Sequence, residues 1–167
     1  MTKQRNLEPS GNFSAYYHSP IGTIEIAGTE KGITGLAFVR PKRIKASPVP
    51  SCLIDALVQV DEYFQGKRQE FSLNLILGGT EFQKKVWREL LKIPSGQTAS
   101  YKDVAVAIRR EQAVRAVGNA NGLNKISIII PCHRVIGSNG TLVGYGGGLW
   151  RKKWLLEHEQ KLKQDKK

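Results

Sequence analysis

The sequence predicts two domains: an α/β domain over residues 1–78, and a mainly helical domain carrying a helix-turn-helix over residues 79–167. Three observations lead there. The apolar residues alternate in the first third of the chain and recur at helical spacing in the second half. The pair Gly78-Gly79 separates the two textures as a natural hinge. A chain of 167 residues holds one domain with a real core, or two small ones.

Each element has its own signal. From Phe13 to Val39 the pattern is of strands: Thr23 to Ala27 alternates, and Ile33 to Val39 is a second apolar run. Pro20-Ile21-Gly22 and Lys31-Gly32 supply the turns between them. Arg40-Pro41-Lys42-Arg43 and Pro48-Val49-Pro50 form a loop. Leu53, Leu57, Val60 and Phe64 then recur at helical spacing, with Gly66 as the stop. Phe71 to Leu77 alternates again and is expected as a strand. Beyond the hinge, Thr80 is an N-cap ahead of a stripe of Phe82, Val86, Trp87, Leu90 and Leu91, broken by Pro94-Ser95-Gly96. Ser100-Tyr101-Lys102-Asp103 resembles a capping box in front of Val104, Ala105 and Ile108. A third helix is expected over 112–121, joined to the previous one near Arg109-Arg110-Glu111 as a helix-turn-helix. Such helix pairs are common, and this one suits plain core packing equally. Ile126 to Ile130 is a short buried run ending at Pro131-Cys132. The glycine-rich segment 144–148 precedes a last helix from Leu149 to about Leu162.

Charge narrows the partners. The formal net charge is +12 and the pI about 9.9, a field that draws polyanions, and nucleic acid is the obvious class. Part of that charge lies in the tail from Lys161 to Lys167, which is expected to be disordered. No apolar run approaches a membrane span, and Met1 to Ser10 lacks the apolar core of a secretory signal, so the cytoplasm is the expected compartment. There Cys52 and Cys132 are expected to stay reduced. Two cysteines and three histidines give no dense ligand cluster, so neither a structural metal nor a cofactor is expected.

Four residue types carry the chemistry. Position alone slightly favours the usual fate of a free cysteine for Cys132, burial as a small apolar residue. Its setting argues otherwise. It ends a core segment, where chain tends to be accessible, and His133 and Arg134 follow it, a neighbourhood that favours thiolate. An unperturbed thiol is only a few per cent ionised at neutral pH, so a base helps, and His133 is the nearest. Adjacent side chains often point apart, so a water would relay the proton. Glu159 shares the apolar stripe of the last helix with Leu155 and Leu162, where a carboxylate is costly unless paired, and it is the best candidate to orient the histidine. The alternative is a Glu159 at the helix edge, solvated or paired with a lysine. Arg115 is the one long cation on the small-residue helix from Ala113 to Asn121; it suits insertion into a duplex, or an ordinary surface position.

These strings resemble the O6-alkylguanine-DNA alkyltransferases. Ile130-Pro131-Cys132-His133-Arg134-Val135-Ile136 is similar to the family's active-site signature. Around it fall, in family order, Thr80-Glu81-Phe82-Gln83, Val86-Trp87, Ile93 to Thr98, Ser100-Tyr101, Arg115 to Gly118, Ala120-Asn121, Asn124, Gly144-Tyr145, and Trp154 to Glu159. The first half matches more loosely, through Ser19 to Gly22 and Asp61 to Gly66. The resemblance implies a ribonuclease-H-like N-terminal domain and a DNA-binding, catalytic C-terminal one. It implies stoichiometric transfer of an alkyl group from O6-alkylguanine in double-stranded DNA, with O4-methylthymine as a further substrate, onto Cys132. The base is flipped through the minor groove by a monomeric protein. Catalytic roles fall to Cys132, His133, Glu159 and Tyr101. DNA contacts fall to Arg115, Tyr101, Ala116, Gly118, Asn119 and Ser138. Asn124 braces the active-site hinge, and Val135, Tyr145 and Gly146 border the guanine pocket. Two positions depart from the family: Lys125 stands where many members have proline, and Gly146 replaces a small hydroxyl residue of some members. The rival readings are a lesion sensor or helix-turn-helix binding module, for which Cys132 is dispensable, and a cysteine hydrolase, which needs an oxyanion hole and turnover.

Overall fold

The computed structural model describes residues 11–40 and 47–165, so 1–10, 166–167 and residues 41–43 of the Arg40–Arg43 loop lie outside it. The first region is a three-stranded antiparallel sheet, β1 (Phe13–Ser19), β2 (Gly22–Thr29) and β3 (Gly32–Phe38), in sequential order. Helix α1 (Ser51–Phe64) lies against it. Ile24, Ile26, Ile33 and Leu36 of the sheet meet Leu53, Ala56, Val60 and Tyr63 of the helix, all buried. Each fully buried large apolar chain contributes about 1.5–3 kcal/mol. The β2–β3 turn requires glycine: Gly32 has φ +154°, and a Cβ there would stand 2.7 Å from the carbonyl oxygen of Asn74.

The expected strand over 71–77 is not formed as such. The segment makes one parallel bridge, Ile33 to Leu75, with Ile33 N donating to Asn74 O (2.8 Å) and Ile76 N to Ile33 O (2.8 Å). Its alternation reflects packing of Phe71, Leu73, Leu75 and Leu77 against the core, not a ladder.

The second region is helical. Helix α2 (Glu81–Leu90) starts at a true capping box, Thr80 with Gln83, and buries Val86, Trp87 and Leu90. Leu91, expected on that stripe, is exposed because the helix ends one residue earlier. Helix α3 (Tyr101–Ala107) starts at the second capping box, Ser100 with Asp103. Helix α4 (Val114–Gly122) begins two residues later than its pattern suggests. Arg109 turns the chain between them with φ +58°, and Trp87 Nε1 donates to Ala120 O (2.8 Å), fixing α2 to α4. Helix α5 (Leu149–Gln164) extends past Leu162, so the basic tail begins as helix. Among the described residues no helix is long and apolar enough to cross a membrane.

A short parallel pairing was not foreseen. Strand β4 (Ala99–Ser100) pairs with β5 (Val135–Ile136). It ties the start of α3 directly to the chain that follows Cys132, so the helix-turn-helix and the cysteine share one frame.

Candidate active site

The Cys132 turn follows a largely buried segment. Ile126, Ile128, Ile129 and Ile130 are all in the core, and Ile128 adopts φ +70°, rare for a β-branched residue and held only because its surroundings determine it. Asn124 braces both ends: its Nδ2 donates to Ile130 O (2.9 Å), and its Oδ1 accepts from Ile126 N (2.9 Å). Asn121 Nδ2 donates to the carbonyl of Cys132 itself (3.4 Å). Residues Cys132–Arg134 then form a single 3-10 turn.

The accessibility expected of Cys132 is not observed; the residue is only 5% exposed. Burial pushes its thiol pKa up, with the Asn124 side chain and the Lys152 ammonium pulling the other way. The Arg134 guanidinium, expected to favour thiolate, is turned away. Its Nε and Nη2 donate to Glu159 (2.9 Å each) and its Nη1 to Ile93 O (2.6 Å).

His133 and Glu159 are both fully buried, and His133 Nε2 lies 2.7 Å from Glu159 Oε1. The carboxylate gathers five donors. Oε1 meets His133, Arg134 and Tyr63 Oη (2.9 Å); Oε2 meets Arg134 and Gly96 N (3.2 Å). Burial pushes the Glu159 carboxyl up, but the His133 and Arg134 contacts more than offset this and hold it well below the usual range. Burial holds His133 below its ordinary value, against the pull of Glu159. The pair therefore rests as carboxylate and neutral imidazole, with Arg134 as the counter-charge. A neutral ring donating from Nε2 leaves Nδ1 as an acceptor, and Nδ1 is buried with no hydrogen-bond partner among the described residues.

Lys152 is a second buried cation that the sequence did not single out. Its Nζ donates to Val135 O (2.6 Å), Val143 O (2.9 Å) and Gly144 O (3.4 Å), closing the glycine-rich loop over β5. Burial draws its pKa down to about 8, while Cys132 raises it. Val135 is buried, and the hydroxyl of Tyr145 is buried with no hydrogen-bond partner among the described residues. Gly146 is exposed with open space where a side chain would stand. Arg151 fastens the same loop to the N-terminal sheet, donating to Gly147 O and Ile21 O (2.7 Å each).

On the surface above, Arg115, Ala116 and Asn119 of α4 are exposed, and Gly118 faces the ring of Tyr101. Tyr101 Oη donates to Val143 O (3.1 Å). Ser138 is exposed on the turn after β5, and Lys125 is exposed beside the Asn124 brace. The residues missed by sequence reasoning are Tyr63, Arg134 as the carboxylate's partner, Lys152 and Asn121. The one signal available for Lys152 was a lysine three residues before Leu155 on the buried face of α5. Among the described residues no group of three or more His, Cys, Asp or Glu could hold a metal ion.

Residues 12–77 match the model of the 6-O-methylguanine DNA methyltransferase ribonuclease-like domain, and residues 81–161 that of the same family's DNA binding domain. A methylated-DNA–protein-cysteine methyltransferase from Methanosarcina barkeri is 48% identical over 149 residues, covering 85% of this chain and 93% of the relative. This chain belongs to the 6-O-methylguanine DNA methyltransferase family. The Mycobacterium leprae member is likewise 48% identical, over 85% of this chain and 88% of its own length. Among solved structures, the O6-methylguanine methyltransferase of Mycobacterium tuberculosis superposes with a TM-score of 0.80 at 44% identity, covering 90% of this chain and 94% of that one. The same M. tuberculosis protein in complex with DNA gives 0.81 at 46% identity, covering 88% and 92%. The three-stranded sheet with α1, and the helical region that follows, are thus the family's ribonuclease-like and DNA-binding parts, as the fold class expected.

Proposed function

We propose that this methyltransferase repairs DNA by taking the alkyl group from O6-alkylguanine, or the methyl group from O4-methylthymine, onto Cys132, once per molecule. The observation that carries this reading is the buried His133–Glu159 pair directly after the buried Cys132, with His133 Nδ1 lacking a hydrogen-bond partner among the described residues. In this scheme His133 Nδ1 takes the thiol proton through one water. The thiolate attacks the alkyl carbon in line, the carbon–O6 bond breaks, and its electron pair stays on guanine. Tyr101 Oη donates a proton to a guanine ring nitrogen and regains one from the imidazolium, so the thiol proton ends on guanine. Glu159 stabilises the transient imidazolium. Duplex DNA binds through its minor groove against Arg115, Tyr101, Ala116, Gly118, Asn119 and Ser138. Small residues on α4 permit close approach in a narrow groove, although helix-turn-helix proteins ordinarily use the major one. The nucleotide must leave the stack for sulfur to reach it, at a cost of a few kcal/mol, and Arg115 offsets part of that by filling the gap. Val135, Tyr145 and Gly146 border the guanine, Asn124 holds the hinge, the domains meet at Gly78-Gly79, and the protein acts as a monomer.

Replacement of Cys132 tests the assignment. Cys132→Ser is expected to abolish transfer of a labelled methyl group while DNA binding persists, because a hydroxyl is a far poorer nucleophile. Transfer near the wild-type level would return the chain to the hydrolase or binding-module readings.

A further inference from the structure

The charge relay is not confined to the C-terminal region. Tyr63, the penultimate residue of α1, is fully buried and places its hydroxyl 2.9 Å from Glu159 Oε1, the oxygen that also accepts from His133. Its ring is fixed on three sides, by Phe64 (centroids 5.3 Å apart), Phe71 (5.5 Å) and His158 (5.3 Å). His158 Nε2 also contacts the carbonyl of Tyr63 (2.7 Å). Core packing accounts for the ring; the hydroxyl is set on the carboxylate of the site.

We infer that Tyr63 is a positioning residue for the transfer: its hydroxyl shares Oε1 with His133, and so sets how strongly Glu159 draws the Cys132 proton onto the imidazole. This rests on the proposed roles of Cys132, His133 and Glu159. A donor on a carboxylate stabilises its charge and weakens the negative potential felt at the neighbouring donor. Tyr63 thereby moderates the basicity of His133 and favours the protonated thiol. The N-terminal sheet region, to which α1 belongs, thus contributes an atom to the chemistry of the C-terminal region. The other groups facing the relay are Arg134 on the turn, Gly96 N on the loop before β4, Lys152 on α5, Tyr145 on the glycine-rich loop and Tyr101 on α3; none contacts the Tyr63 hydroxyl through a hydrogen bond.

The test is Tyr63→Phe in the full chain, which keeps the ring among Phe64, Phe71 and His158. Two pH profiles are recorded: single-turnover methyl transfer from duplex DNA containing O6-methylguanine, and carbamidomethylation of Cys132 by iodoacetamide without DNA. The midpoint of both is expected to fall by about half a pH unit, about threefold more thiolate at a fixed pH below the midpoint. In a Glu159→Gln background the further change to Phe is expected to shift neither midpoint, since the shared anion is gone. Unmoved midpoints with a uniform loss of rate, or the same shift with and without Glu159, would overturn the inference and leave Tyr63 as packing. If the wild type transfers no methyl group, the proposed function fails, and the iodoacetamide profile by itself decides the role of Tyr63.

Discussion

Exchanging Glu159 for glutamine keeps its shape and removes its charge, which isolates what the carboxylate does. Arg134 is left as a buried cation without its partner, and breaking a buried pair from one side costs about 3–5 kcal/mol. Glu159→Gln is therefore expected to unfold at markedly lower urea, and to slow transfer more than it weakens DNA binding. Equal losses in rate and binding would remove Glu159 from the chemistry. The pH dependence of stability follows from the same pair. His133 and Glu159 both have folded pKa values below their ordinary 6.5 and 4.5. Their contribution is complete above pH 6.5 and is lost as pH falls through the depressed folded values. Urea midpoints of the wild type are expected to hold above about pH 6.5 and to fall progressively below it; a midpoint that rises on acidification would contradict the charge states assigned here.

At the level of elements, the two capping boxes do different work. The one at Ser100 starts the helix that carries Tyr101 and sits on the β4–β5 pairing next to the cysteine turn. Ser100→Ala is expected to cost about 1 kcal/mol of stability, read as a lower thermal midpoint. An unchanged midpoint would show that pairing with β5 alone fixes the helix start. Helix α4 contributes Arg115, exposed at its second position. Arg115→Ala is expected to slow transfer from duplex DNA more than from single-stranded substrate, because only the duplex leaves a gap to fill. Equal losses on both would contradict its insertion. The elements read correctly from sequence were those with local signals: a cap three residues from its partner, or an apolar stripe within one helix. The strand expected over 71–77 failed because alternation reports a buried face and says nothing of a ladder partner.

Across the whole molecule, what the sequence hid was long-range and polar. Cys132, His133 and Glu159 were legible because a short motif and a carboxylate on an apolar stripe announce themselves. Tyr63 reaches Glu159 from 96 residues away, and Arg134 from 25, and neither contact leaves a periodic trace. For Cys132 the sequence left burial and accessibility both open, and the residue is buried; the loop contacts of Lys152 with Val135 O and Val143 O leave no periodic trace either. A methyl on sulfur becomes a thioether, a poor leaving group toward water, and Cys52, the other thiol, lines a separate groove with Ile33, Asp55 and Ser72. The direct measurement is a titration of a fixed amount of protein with duplex DNA containing O6-methylguanine, followed by the intact mass of the protein. The expected result is a burst equal to the active protein, no further turnover, and one methyl group added at Cys132. Several methyl groups removed per molecule, or repaired DNA with an unmodified Cys132, would contradict it.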